Sequence, residues 1–396
     1  MKGSHAGRDI CEVDQELVGT PTKRCARENP PTRRVEFASS IKDKVVKRWT
    51  IIKHASGEAD RSHARHTAVA CTRRKQRETS RRRFNFTRLK DFDFKSSHEG
   101  TILGVSFHHA SNVAACVTAG SRVHLLRIDG TSNNIIQSLS LTGRVKTVEF
   151  SRVNDQVIVC GKSGLFFGNV ESGSVEKISL PTSCATDGTF VQTAGSDIVG
   201  VVSSNELCIL SQKSRTCVAS VKMSAPVRSC TFSPSGNEIT CAAADGKIYC
   251  WDVRTQRCAR VAGGFDSVVQ ICSSPDGKNV ITGLDDGTVE IYNASDISWD
   301  VAKDGQKKAR SISSFRTRIT SLNVDPRADF VAMSSSLERN ALRLLHLPSL
   351  SLVNTWPTSM TPLHYVSAHA FSHDGTILAI ANARGRVLTY SASTPS

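Results

Sequence analysis

Between Ala225 and Gln256 the chain reads APVRSCTFSPSGNEITCAAADGKIYCWDVRTQ, and six more stretches repeat the phrase. An apolar run ends in Phe-Ser-Pro, a Gly turn follows, then a second run, an Asp-Gly turn, and a third run closing on Trp251-Asp252. A unit of this kind cannot bury both of its faces, so neighbouring copies must stack. No other feature of the chain constrains its fold as strongly.

The other copies span Gly100–Gly130, Gly143–Gly173, Ser183–Arg215, Asp266–Asp296, Thr317–Leu350 and His364–Ala392. Aligning the phrase puts Phe107, Phe150, Phe190, Phe232, Ser273, Val324 and Phe371 in one column, separated by 43, 40, 42, 41, 51 and 47 residues. A period of roughly 40–45 residues with short strands is the signature of the WD-type repeat, each copy making one four-stranded blade. The expectation is an all-β, seven-bladed WD40 β-propeller over residues 84–396.

Strand-like alternation supports this. Ile239, Cys241 and Ala243 face one way, Thr240, Ala242 and Ala244 the other, and both sets are largely apolar, as a strand held between two blades requires. Phe84–Phe94 (FNFTRLKDFDF) has the alternation for an outer strand donated to the last blade, which would close the ring and hide an edge. The two long separations hold inserts, Ser298–Arg310 and Asn354–Leu363, which belong on loops.

Charge divides the chain. Residues 1–90 hold 23 Lys+Arg against 10 Asp+Glu, whereas residues 91–396 hold 28 against 26. Residues 1–83 therefore read as a basic, largely disordered tail, with Lys42–Ile52 as one candidate short helix. Arg73, Arg74, Lys75, Arg77, Arg81, Arg82 and Arg83 offer donors fitted to phosphate, as an RNA-backbone contact, a nuclear address, or both. No apolar signal-like segment follows Met1 and no apolar run of about 18 residues appears, which argues against a secretory signal or a membrane partner. The thirteen cysteines include no Cys-x-x-Cys, and Cys160, Cys208, Cys230, Cys241, Cys250 and Cys272 read as small buried thiols.

Catalytic sets do not assemble along the sequence. His108-His109 has no metal-ligand spacing to another His, Cys or carboxylate, and none of the phosphate-loop, zinc-protease or nucleophile-elbow motifs occurs. Asp245 and Asp286 each precede a Gly and read as turn formers. An enzyme sited in the channel would need convergent polar groups at its mouth, where the strand ends read mainly Gly, Ser and Ala. No catalytic residue, cofactor, metal or small-molecule substrate is expected. In Asn340–Leu363 (NALRLLHLPSLSLVNTWPTSMTPL) the stiff Trp356-Pro357 loop places a large aromatic either at the surface or back on its own blade. Arg343, His346, Trp356 and Pro357 are the candidate partner-binding residues.

The same segments carry a family resemblance. Ile128-Asp-Gly-Thr-Ser-Asn, Ile136-Gln-Ser-Leu, Glu171-Ser-Gly-Ser-Val-Glu-Lys-Ile, Gly246-Lys-Ile-Tyr-Cys-Trp-Asp-Val-Arg-Thr and Val289-Glu-Ile-Tyr-Asn are matches. The strongest is Asn340-Ala-Leu-Arg-Leu-Leu-His-Leu-Pro-Ser-Leu with Thr355-Trp-Pro-Thr-Ser and Thr361-Pro-Leu, an insert that generic WD repeats lack. Over about residues 84–396 the chain resembles the WD40-propeller subunits of the UtpB subcomplex of the small-subunit processome, the U3 small nucleolar RNA-associated protein 18 family. The resemblance implies a non-enzymatic nucleolar scaffold for pre-rRNA processing towards 18S rRNA. Its implied partners are the other UtpB propellers, further processome subunits, pre-ribosomal RNA and U3 small nucleolar RNA. The Leu-Phe-x-x-Asp-like motif by which some members recruit the exosome helicase is missing here, so that recruitment is not implied. A WD40 adaptor presenting substrates to a ubiquitin ligase or chromatin enzyme is the alternative that composition and repeats leave open.

Overall fold

A computed structural model describes residues 84–396, apart from 95–99, 131–132, 163, 179, 181–189, 194–196, 303–304 and 394–396. The seven basic residues from Arg73 to Arg83 and the candidate helix Lys42–Ile52 lie outside the described residues.

Among the described residues there are seven antiparallel sheets, one for each copy of the repeat. Blade one is β3 (Ile102–Phe107), β4 (Val113–Thr118), β5 (Arg122–Arg127) and β6 (Asn134–Ser140). Blade two is β7 (Val145–Phe150), β8 (Gln156–Gly161), β9 (Gly164–Asn169) and β10 (Val175–Ile178). Blade three is β11 (Phe190–Thr193), β12 (Ile198–Ser203), β13 (Glu206–Ser211) and β14 (Cys217–Lys222). Blade four is β15 (Val227–Phe232), β16 (Glu238–Ala243), β17 (Ile248–Asp252) and β18 (Arg257–Ala262). Blade five is β19 (Val268–Ser273), β20 (Asn279–Leu284), β21 (Thr288–Asn293) and β22 (Arg310–Ser313). Blade six is β23 (Ser321–Val324), β24 (Phe330–Ser334), β25 (Leu342–His346) and β26 (Ser351–Leu352). Blade seven is β27 (Val366–Phe371), β28 (Ile377–Asn382) and β29 (Arg386–Ser393), completed by β1 (Asn85–Arg88).

The closing strand lies where its alternation predicts. Asn85 pairs with Ser393 and Arg88 with Tyr390, and the short β2 (Phe92–Asp93) pairs further along β29. The outer side of β29 is thus covered by chain that precedes blade one, which gives blade seven its fourth strand and ties the two ends of the wheel together.

Stacking explains why both faces of each strand are apolar. Among the described residues, seven hydrophobic clusters form, each shared by two neighbouring blades. On β8, Val157 and Val159 pack towards blade one while Ile158 and Cys160 pack towards blade three. The ring closes where Ile102, Phe107 and Cys116 of blade one meet Ile377, Ala379 and Val387 of blade seven. Truncating one of these interior side chains, such as Ile158 (0% exposed), costs about 2–5 kcal/mol.

Turn chemistry follows the sequence. Asp252 accepts from the backbone N–H groups of Arg254 (2.8 Å) and Thr255 (3.2 Å), so the Trp251-Asp252 pair ends its strand in an Asx turn. Asp245 and Asp286 likewise accept from Lys247 and Thr288 N–H groups at 3.2 and 2.8 Å. The insert Ser298–Arg310 is pinned to the wheel by Gln306 (6% exposed). Its amide donates to the Gly263 and Ser298 carbonyls at 2.8 and 2.9 Å and accepts from Ser298 N–H at 2.9 Å.

Two expectations are corrected. Phe190 does not share the column of the other copies. Phe107, Phe150, Phe232, Ser273, Val324 and Phe371 each pair with the second residue of the next strand. In blade three Thr193 does so, opposite Val199, and Phe190 opens the strand opposite Val202. After Phe190 this copy has neither the Ser-Pro nor the Gly that marks the turn in the fourth and fifth copies. Cys208 is disulfide-bonded rather than reduced, whereas Cys160, Cys230, Cys241, Cys250 and Cys272 are free. Burial pushes the Cys160 thiol up to about 12 and raises Cys241 well above its ordinary value.

Candidate functional site

The innermost strands end together at one mouth of the central channel. In blades four, five and seven, the residue after the aligned column is a serine whose hydroxyl shapes the next turn. Ser233, Ser274 and Ser372 Oγ accept from the N–H groups of Glu238 (3.2 Å), Asn279 (3.0 Å) and Ile377 (2.9 Å). Blade one puts His108 there. Its Nδ1 takes over the serine's role, accepting from Ala110 N–H at 3.3 Å and lying 2.9 Å from Ser111 Oγ. The ring is then fixed with Nε2 turned outward, 2.8 Å from Asp155 Oδ1 on the corresponding turn of blade two.

His109 lies beside it, the two ring centroids 4.3 Å apart. The donor atoms of His108, His109 and Asp155 all lie within 4.8 Å of one another. Sequence spacing concealed this group, because Asp155 is 47 residues from His108 and reaches it only through blade stacking. Ser111, His108 and Asp155 also form a Ser-His-Asp hydrogen-bonded chain. Ser111, however, shares one tight turn with His108, and Ala110 N–H already occupies Nδ1, so this chain shapes the turn.

The channel mouth is a cavity of about 350 Å³ lined by His108, His109, Glu149, Arg152, Asn323 and His373, with Phe107, Phe150 and Phe371 between them. The expected small residues are present as Ser106 and Ala370, but ionisable groups join them: His108, His109, Arg152 and His373 from the turns beyond the strand ends, and Glu149 from β7 itself. Burial pushes the Glu149 carboxyl up to about 7, against the pull of the Arg152 guanidinium and the Ser106 hydroxyl. Two further groups are tuned by burial near this mouth. Asp325 is raised to about 6 and His369 (1% exposed) is lowered to about 4.

The candidate partner-binding residues divide. Arg343 is exposed on β25, its Nη1 donating to the Leu342 carbonyl at 3.2 Å. His346 is buried, with Nδ1 2.7 Å from Ser349 Oγ and its ring 5.1 Å from that of Phe84. Trp356 is 6% exposed, so the surface position open to it in sequence is not the one it takes. Its ring stacks on Phe86 and meets Tyr390 edge-on, with centroids 4.6 and 4.9 Å apart. Pro357 follows through a cis peptide bond and is half-buried. The insert that reads like a docking loop is therefore the seat of the chain's own closing strand. On the neighbouring loops, stitched together by Asn340 N–H to the His364 carbonyl (2.7 Å), Leu337 (53%), Met360 (87%) and Tyr365 (47%) are exposed.

Comparison with known proteins agrees with the architecture. Residues 215–252 and 256–293, most of the fourth and fifth copies, match the WD domain, G-beta repeat family. Over 318 residues the chain is 28% identical to a protein of Arabidopsis thaliana named U3 small nucleolar RNA-associated protein 18 homolog, covering 78% of this chain and 57% of that one. The human protein of the same name is 26% identical over 305 residues, covering 73% and 53%. A Schizosaccharomyces pombe protein named probable U3 small nucleolar RNA-associated protein 18 is 25% identical over 313 residues, covering 76% and 59%. The chain thus spans somewhat more than half the length of these relatives. Plant, animal and fungal proteins that share this name are thus similar to the chain over about three quarters of its length, and the chain itself is a seven-bladed WD-repeat β-propeller.

Proposed function

We propose that the chain is a non-enzymatic scaffold of the small-subunit processome. It acts in the nucleolus, in pre-rRNA processing towards 18S rRNA and the small ribosomal subunit. The observation that carries this reading is the likeness, over three quarters of the chain, to proteins whose name ties them to U3 small nucleolar RNA. A rigid seven-bladed wheel suits such work, since it presents many loop surfaces on one stable frame.

Its partners are the other UtpB propeller proteins, further processome subunits, pre-ribosomal RNA and U3 small nucleolar RNA. Arg73, Arg74, Lys75, Arg77, Arg81, Arg82 and Arg83 supply the phosphate contact or the nuclear address. Protein contacts use Arg343 with the exposed Leu337, Met360 and Tyr365, while Trp356, Pro357 and His346 hold the loop that carries them. Depleting the protein from its cells tests the reading. Unprocessed precursor should accumulate and 18S rRNA should fall while 25–28S rRNA is made at its normal rate. Unchanged 18S production would refute it.

A further inference from the structure

We propose that His108, His109 and Asp155 form a binding site for a divalent transition metal of the zinc, cobalt and nickel class. Two imidazoles and one carboxylate, with no thiolate, suit these borderline ions better than calcium or magnesium, which favour all-oxygen sites. The donors come from the outward turns of two blades and converge without any change in the wheel.

The geometry is close to what the ion needs. Metal–donor bonds of about 2.0–2.1 Å place tetrahedral donors about 3.4 Å apart. His108 Nε2 and Asp155 Oδ1 already stand at 2.8 Å, and no pair in the group exceeds 4.8 Å. His108 is the anchored ligand, held by Ser111 Oγ 2.9 Å from Nδ1 and by an edge-on contact with Phe150 at 5.3 Å. His109 and Asp155 are exposed, so rotation of their side chains closes the remaining gap. With a metal on Nε2, the ring proton sits on Nδ1, which gives up the Ala110 N–H bond and donates to Ser111 Oγ at 2.9 Å, the outer support that metal-bound histidines use.

Three protein ligands leave a fourth position. His109 and Asp155 line a depression of about 500 Å³ together with Asn154, Asn169 and Glu171, from which a water or an outside donor can complete the shell. Asp155 and Glu171 make this side of the turn favourable to a cation, and Arg152 acts on Glu149 in the channel. The other account of the group is a simple His108–Asp155 strut between blades one and two.

Cobalt titration of the purified full chain, freed of metal with a chelator, separates the two. The site predicts one equivalent of Co²⁺ with visible ligand-field absorption and without the ultraviolet charge-transfer band of cobalt–thiolate bonds. His109→Ala and Asp155→Asn alter exposed side chains and should each weaken binding by roughly tenfold or more. Zn²⁺ should raise the melting temperature of the unmodified chain and that of either variant by distinctly less at the same concentration. Equal binding by all three proteins, a dominant thiolate band, or no binding at millimolar Co²⁺ would overturn the site and leave the strut.

Discussion

Phe86 of the closing strand stacks on Trp356 with ring centroids 4.6 Å apart and planes inclined at 26°. The contact ties the first strand of the wheel to the loop between blades six and seven. Trp356→Ala should cost about 3–5 kcal/mol, and the half-buried Phe86→Ala somewhat less. The pair should show a coupling of about 1 kcal/mol in a double-mutant cycle followed by urea denaturation. Additive effects would mean that the stack is incidental. A chain starting at residue 84 should keep the cooperative melt of the whole protein, and one starting after Arg88 should lose it.

Two glycines with similar backbone angles should respond differently to a methyl group. Gly287 has φ +85°, and an added Cβ would stand 2.4 Å from the Phe315 carbonyl oxygen. Gly305 has φ +91° with nothing within 4 Å of that position. Gly305→Ala should therefore lose only the conformational cost of about 1–2 kcal/mol, while Gly287→Ala should lose several kcal/mol more or fail to fold. Thermal melts of the two variants check this, and equal losses would contradict it.

His369 should make stability fall in acid. Its folded value is near 4 because burial disfavours the charged ring, and Asn323 Nδ2 lies 3.2 Å from Nδ1. Above the ordinary value of about 6.5 the ring is neutral whether folded or unfolded. Between there and about 4 only the unfolded chain takes the proton, so stability is lost as pH falls, by about 3 kcal/mol at the lower end. Glu149 and Asp325, raised to about 7 and 6, act in the opposite sense, since the folded chain takes up their protons first. The difference between the unmodified chain and His369→Gln isolates the histidine. It should shrink steadily from pH 7 to pH 4 in denaturant titrations, and parallel profiles would reject the assignment.

Lys308 of the insert reaches Glu290, whose side chain is 3% exposed, and also Asp266 at 2.9 Å. Glu290 further accepts from the Tyr292 hydroxyl at 2.5 Å. Lys308→Met leaves a buried carboxylate without its cation. Because the lysine side chain is itself 35% exposed, the loss should be about 1–2 kcal/mol rather than that of a fully buried pair. Adding Glu290→Gln should recover part of it, and a double variant no better than Lys308→Met would show that the pair carries no coupling.

The architecture was legible because the repeat is local. Ser-Pro, Gly and Asp-Gly punctuate the fourth and fifth copies, the apolar pattern carries the spacing to the others, and the closing strand announces itself by alternation at Phe84–Phe94. Where punctuation is missing, as around Phe190, the alignment slipped by three residues. Contacts between distant residues were not legible. Nothing near Trp356 signals that Phe86, 270 residues earlier, will cover it, and nothing near His108 points to Asp155. The serine column offers the one usable hint, since a histidine in place of a turn-forming serine is a departure that asks for a reason.

The central claim is that this wheel works within the small-subunit processome. Its most direct test is in-cell crosslinking of the tagged full chain, followed by denaturing purification and sequencing of the attached RNA alongside identification of the attached proteins. The account predicts U3 small nucleolar RNA and pre-ribosomal RNA, together with other propeller proteins of the same assembly. Recovery of a ubiquitin ligase or chromatin enzyme without either RNA would contradict it.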